Sequence, residues 1–367
     1  MLFRSLAVFG DDHGGKSSTI SHQSDPAMAA NGVPVLYPAS VQEILDYGLH
    51  GWALSRFAGV WVGLKTVNEI IEATATVDGS VERVQARIPD VQEPPGGVSV
   101  RAGLDPLGDE IRLMRHKLPR VHAYVRANRL DRVTHGTGVE AEWGLIAAGK
   151  TWLDTVSALD LLGLNDEAAL RRYRVQLYKP ALVTPLEPEG LVEFASGLRE
   201  VMGVEEKAAF LEPQVPRILY GLDASRRPAL CGKHTPEGQL LLPSDMPLEP
   251  LQLALAMGSR LHALGLADEV LEQRIEVLRS QMAEAGSRHP VGRPRTPYFC
   301  SGCPHNTSTK GPEGSVAFGG IGCHTMAIFM DRHTLPPTQM GGEGANWIGM
   351  APFTDLPHVF QNLGDGT

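Results

Sequence analysis

Cysteine is scarce. Four residues in a chain of 367 exclude the disulfide framework by which small secreted domains make up for a thin core. Aromatic residues are few as well, at 6%, yet 43% hydrophobic and 20% charged residues fit an ordinary globular protein and exclude a disordered one. Positive charge is in deficit: 33 Lys and Arg against 42 Asp and Glu give a formal net charge of −9. Neither nucleic acid nor an anionic membrane is therefore expected as a partner of the chain as a whole. No apolar run reaches the roughly 18 residues of a spanning helix, and the best candidate, Ser315 to Met330, is broken by Gly319, Gly320, Gly322 and His324. The opening MLFRSLAVFGDDHGG has no small-residue cleavage site, so no signal peptide is expected and a cytoplasmic location is. Internal repeats and low-complexity tracts are also lacking.

What is there alternates. Leu6 to Phe9 and Pro34 to Pro38 read as short buried strands. Ser40 and Glu43 have capping-box spacing ahead of Ile44, Leu45, Leu49, Trp52, Ala53 and Phe57 at helical spacing. Strand, helix, strand, helix is the order of a parallel sheet. A linker follows at 89–97 and a basic helical stretch from Glu110 to Leu130. A second α/β run then predicts strands at 144–148, 174–178 and 201–204, and helices at 152–162, 190–200 and 215–219. Cys231 reads as a small core residue in a strand, and a split helix spans 251–285. The expected domains are 1–80, a helical connection at 81–135, an α/β domain at 136–250, a second helical connection at 251–290, and a last domain at 291–367.

The chemistry-bearing motifs crowd the end, where residues 287–367 hold 13 of the 40 glycines. Val359 to Leu363 is an apolar strand running into Gly364-Asp365-Gly366. Glycines on both sides let a bulky ligand approach the backbone and leave the carboxylate free for a hard cation gripping phosphate, although an ordinary Asp-Gly turn has the same sequence. Cys300-Ser301-Gly302-Cys303 places two thiols to share one soft metal, and Cys323 follows within Gly320-Ile321-Gly322-Cys323-His324. Three thiolates are one short of a four-cysteine iron–sulfur site, whereas His305 or His324 would complete a tetrahedral zinc site; inert thiols are the plainer alternative. Met340-Gly341-Gly342-Glu343-Gly344 is a further glycine loop. His13, in Gly10-Asp11-Asp12-His13, reads as a surface or capping histidine, with substrate contact the alternative.

In this order the motifs resemble the start of a thiamine-diphosphate domain of the 2-oxoacid:ferredoxin oxidoreductases, above all the fused indolepyruvate ferredoxin oxidoreductases. The N-terminal GDDHGGKSS and Val41 to Gly48 resemble the pyrimidine-side domain, and Leu145 to Lys150, Val183 to Leu186 and Val204 to Lys207 a transketolase C-terminal-like domain. The resemblance implies an α/β fold of parallel-sheet, thiamine-diphosphate-binding domains, with a transketolase C-terminal-like domain between two incomplete ones. It implies oxidative decarboxylation of an aryl 2-oxoacid, with the acyl group leaving on coenzyme A and the electrons passing to ferredoxin. Asp365 matches the Mg2+ ligand, and Gly364 and Gly366 would face the diphosphate. Gly322, Cys323, His324, Gly341 and Gly342 would line the cofactor, and Cys300, Cys303 and Cys323 match three ligands of a [4Fe–4S] cluster.

The departures from that pattern are a missing Asn downstream of the Mg2+ motif, a missing fourth cysteine and a missing activating Glu. Glu343 lies on the wrong domain for that role and is expected to cap backbone or face solvent. The expectation is an internal piece of the enzyme, inactive alone and homo-oligomeric only with its remainder. Two alternatives stay open: a zinc-stabilised binding module using Cys300, Cys303, His305 and Cys323, and a non-redox thiamine-dependent decarboxylase or synthase.

Overall fold

The computed structural model describes residues 5–16, 18, 20–99, 103–287 and 296–364. It divides into two compact units, Met1–Gly286 and Ser287–Thr367. Among the described residues the first unit holds nine strands: β1 (Ser5–Asp11), β2 (Val35–Leu36), β3 (Trp61–Val67), β4 (Arg132–His135), β5 (Trp143–Ala147), β6 (Val175–Lys179), β7 (Leu182–Thr184), β8 (Glu200–Val204) and β9 (Ala229–Cys231).

They form two sheets. The first has the order β1-β3-β2-β7, parallel except where β7 pairs antiparallel with β2. The second has the order β4-β6-β5-β8-β9, parallel except at the β4 edge. Every residue of β5 and β8 is buried, as a central strand covered on both faces must be, and the sequences WGLIA and EVMGV are correspondingly almost continuous in apolar residues. The mixed α/β class with parallel sheets is as expected.

Helices cover the sheets for local reasons. In the Val41–Ala58 helix the Ser40 hydroxyl accepts the Glu43 amide at 3.2 Å, and the Glu43 carboxylate reaches back to the Ala39 amide at 2.8 Å. The capping box thus closes one residue earlier than its simplest form. The helix ends where Gly59 takes φ 68°, and a Cβ there would strike the Val98 carbonyl. The basic stretch is helical from Pro106 to Ala127, with one π turn at Leu113–Lys117. The split helix is resolved as Pro250–Ala263 and Glu269–Ser287.

One apolar core lies between the sheets. Val35, Val67 and Val183 of the first sheet and the neighbouring Tyr37 pack with Ile146 and Tyr178 of the second and with Ala148. The sheets are also joined through the chain, because β6 ends at Lys179 and β7, three residues on, belongs to the other sheet.

The described residues of the second unit form one small parallel sheet, ordered β11-β10-β12, from β10 (Ala317–Phe318), β11 (Thr334–Leu335) and β12 (Phe360–Gln361). Ala317 and Phe318 of its central strand are buried. No helix of the described residues is long and apolar enough to cross a membrane.

Candidate functional site

In the second unit, glycine loops leave the carboxyl ends of β10 and β12, the edge at which parallel sheets bind ligands. They meet backbone to backbone. A Cβ on Gly364 would collide with the Ile321 carbonyl, and one on Gly320 with the Asn362 carbonyl. The buried His324 ring closes the same junction, with its Cε1 3.0 Å from where a Gly364 Cβ would stand and its Nε2 2.9 Å from that of Gly320. Gly322 takes φ 142°, a backbone state that side chains resist. The segment holding Gly322, Cys323 and His324 is therefore brought to Gly364.

The third glycine loop is less tightly placed. Gly344 approaches Gln361, whose amide donates to the Gly319 and Asn362 carbonyls at 3.2 and 2.8 Å. Gly341 has open space where a side chain would be, and Gly342 meets only Gln339. Glu343 accepts the Gly341 amide at 2.7 Å, the capping role expected of it. Asp365 and Gly366, the expected metal ligand and its neighbour, lie outside the described residues.

Cys300 and Cys303 form a turn in which the Cys303 amide donates to the Cys300 carbonyl at 3.0 Å. The Cys303 Sγ lies 3.2 Å from Nδ1 of His305, whose ring is 5.9 Å from that of His324. Cys300 and Cys323 are exposed and Cys303 half-buried. Among the described residues, these thiols and His305 do not converge at the spacing of a shared zinc ion. The set that does converge, with ligand atoms within 4.8 Å of one another, is Asp11, His13 and Asp25 in the first unit. Its centre is already cationic: Lys65 lies 3.2 Å from Asp11 and pairs closely with Asp25. A metal there would face an ammonium group, so the cluster is an ion-pair network.

That network is the part of the molecule the sequence reading missed. His13 is buried, not a surface or capping histidine, and its Nδ1 donates to Glu206 at 2.8 Å. Glu206 pairs closely with Lys150, and accepts the Leu248 amide at 2.9 Å. Burial alone would raise the Glu206 carboxyl, but the His13 hydrogen bond and the Lys150 charge outweigh it and hold the group at about 2. Asp154, 3.0 Å from the same ammonium, goes the other way: burial prevails over Lys150 and pushes it up to about 6. Lys150 is therefore the counter-ion of Glu206 first. A small cavity of about 30 Å³ opens beside His13, Tyr37, Lys65 and Glu206, room for one water. The signals were in the sequence: Asp-Asp-His at a strand end, Gly-Lys at a helix start and Glu-Glu at another strand end are charges where parallel strands expose their termini.

Residues 132–285 match the model of the indolepyruvate oxidoreductase domain. Indolepyruvate oxidoreductase subunit IorA of Archaeoglobus fulgidus is 26% identical over 350 residues, which cover 91% of this chain and 50% of that protein. The Methanothermobacter marburgensis subunit of the same name is 26% identical over 320 residues, covering 81% and 44%. The chain thus spans about half the length of the curated relatives it matches. Among solved structures, a 2-oxoglutarate:ferredoxin oxidoreductase from Magnetococcus marinus, with 2-oxoglutarate, coenzyme A and succinyl-CoA bound, covers 70% of this chain and 48% of its own at 14% identity. Its TM-score of 0.45 is too low to bear on the assignment. By residues 132–285 and by its relatives, the chain is similar to about half of an indolepyruvate oxidoreductase subunit IorA.

Proposed function

We propose that this chain supplies part of the thiamine-diphosphate site of a 2-oxoacid:ferredoxin oxidoreductase acting on an aryl 2-oxoacid such as indolepyruvate. The observation that carries the reading is the meeting of the Gly320–His324 and Gly364 loops at the carboxyl ends of β10 and β12. Glycines there bring main-chain amides close to a bound diphosphate with no side chains between, and Gly341 and Gly342 leave further room. Asp365, next in the chain, is the proposed Mg2+ ligand, with Gly366 beside it. Thiamine diphosphate, when bound, supplies the carbanion chemistry that decarboxylates a 2-oxoacid. This chain's residues hold and orient the diphosphate, and His324 fixes the loop junction. Cys300, Cys303 and Cys323 are proposed as three ligands of an iron–sulfur cluster, with coenzyme A as acyl acceptor and ferredoxin as electron acceptor. We assign the remaining ligands and the activating carboxylate to the rest of a homo-oligomeric enzyme. The domain limits given at the outset are part of the same proposal, with 136–250 as the transketolase C-terminal-like domain.

Two outcomes are expected. Titration of the purified chain with thiamine diphosphate and Mg2+, followed by tryptophan fluorescence, shows saturable quenching that Gly364→Ala abolishes, because its Cβ displaces the Ile321 backbone. Quenching that survives in that variant would contradict the site. Anaerobic reconstitution with iron and sulfide gives broad visible absorption, reduced in Cys300→Ala. A colourless product would remove the cluster, and viologen reduction with indolepyruvate by the isolated chain would remove its expected inactivity.

A further inference from the structure

A second cavity, of about 430 Å³, lies in the first unit between the Val41–Ala58 helix, the end of the Leu118–Ala127 helix and the irregular segment 83–87. Four arginines line it, Arg83, Arg87, Arg129 and Arg132, in a chain whose net charge is −9. We infer that this cavity binds a small polyanion carrying two or more linked phosphate groups. The inference does not depend on the thiamine reading.

The charge balance comes first. The carboxylates that line the cavity are Glu43 and Asp46, and each has its own cation: Lys179 at 2.6 Å from Glu43, and Arg83 at 2.7 Å from Asp46. Arg87, Arg129 and Arg132 are exposed and form no ion pair among the described residues, Arg132 acting on Asp131 only at longer range. His50, also in the lining, adds no positive charge at neutral pH, since burial lowers its pKa. Three uncompensated guanidiniums facing one concavity repel each other until an anion bridges them, and their planar forks match phosphate oxygens. The volume admits more than a single phosphate.

The backbone supports the same reading. Arg129 follows the helix end in the left-handed conformation, φ 50°, where glycine is the ordinary residue. A long cationic side chain is held there against backbone preference. The opposite wall is fixed. The Asn128 side chain accepts the Arg87 amide and donates to the Arg87 carbonyl, both at 2.8 Å. Gln42 donates to Asp46 and accepts the Asp78 amide at 2.7 Å. The cavity is thus built before any ligand arrives.

The test is calorimetric titration of the full chain with inorganic pyrophosphate at low ionic strength, in wild type, Arg129→Gly and Arg132→Gln. Wild type binds, and each substitution weakens binding by about tenfold or more, as loss of a charge-assisted hydrogen bond should. Glycine suits φ 50°, so Arg129→Gly keeps or raises the melting temperature, and its lost affinity is not lost folding. Absence of pyrophosphate binding by wild type overturns the inference. So does binding that both arginine variants retain. Retained binding that Gly364→Ala abolishes would place the pyrophosphate on the glycine loops of the second unit instead.

Discussion

Glu206→Ala is expected to remove about 3–5 kcal/mol of stability, the usual result of stripping one partner from a buried ion pair. The substitution strands Nδ1 of His13 and the Leu248 amide and leaves the Lys150 ammonium with Asp154, whose own carboxyl burial disfavours as a charge, and with the Leu248 carbonyl. Against a total stability of about 5–15 kcal/mol for a typical domain, that is between about a fifth and nearly all of the margin that holds the fold. The effect carries a pH signature. An unperturbed Glu titrates near 4.3, whereas Glu206 in the fold is held at about 2. A carboxyl depressed on folding stabilises fully above its unfolded pKa. The contribution is lost as the pH falls from about 4.3 through about 2. At 1.36 kcal/mol per pKa unit this is of order 3 kcal/mol. Urea unfolding of wild type and Glu206→Ala should therefore show a stability gap that is wide at neutral pH and narrows in acid. A gap unchanged between about pH 7 and about pH 2.5 would show that the ion pair is not its source.

Gly149→Ala is expected to be nearly as damaging, at about 2–5 kcal/mol, by overpacking combined with backbone strain. Gly149 opens the Gly149–Leu162 helix at φ 52°, and an added Cβ would stand inside the Tyr37 ring. Tyr37 is 6% exposed, its amide donates to the Ala181 carbonyl at 2.9 Å, and Lys65 lies 4.9 Å from the ring centroid. The ring therefore has little room to turn away. A double-mutant cycle separates the two causes. Tyr37→Ala in the Gly149→Ala background should restore the share due to collision and leave the share due to φ. Thermal melts that show the two substitutions as strictly additive would mean that ring and glycine do not press on each other.

Much of this architecture was legible, and the failures have physical reasons. Strands such as Trp143–Ala147 and Val201–Val204 of the Glu200–Val204 strand were legible, because burial on both faces leaves these positions almost wholly apolar. The capping residues Ser40 and Glu43 located a helix start, since their side chains answer backbone donors nearby. Trp61–Val67 was not singled out as a strand, because an apolar run of seven residues directly behind a helix differs little from it in composition; Gly59 marks the boundary. The predicted helix at 190–200 ends at Ala195, and Glu200 begins a strand. Glu200 was the misleading residue: it is buried, where Arg260 grips it at 3.0 and 2.5 Å. Leu182–Thr184 could not be assigned by periodicity at all, since three residues carry no period and their partner Val35 is distant in sequence.

The site was legible to a different degree. Glycine patterns announced the loops that meet at Gly364, because a missing side chain is itself a visible letter. The His13–Glu206 bond joins positions 193 apart in sequence, and no local pattern records which distant charge will answer a given one. The arginine cavity was hidden for the same reason, its lining drawn from residues 43 to 132.

The three residues of β7 have a consequence for how the first unit comes apart. They close the edge of a sheet whose other strands all precede residue 68, while their immediate neighbours in the chain, 175–179, sit inside the other sheet. Unzipping either sheet pulls this splice with it, so neither can open while the other stays shut. Amide protons of Leu36 and Leu145 should then exchange with solvent at one common free energy, as members of a single foldon. A cut in the loop at 137–141 would not release two independent pieces. The fragments would stay noncovalently associated until denaturant separated them, as the halves of a split reporter do.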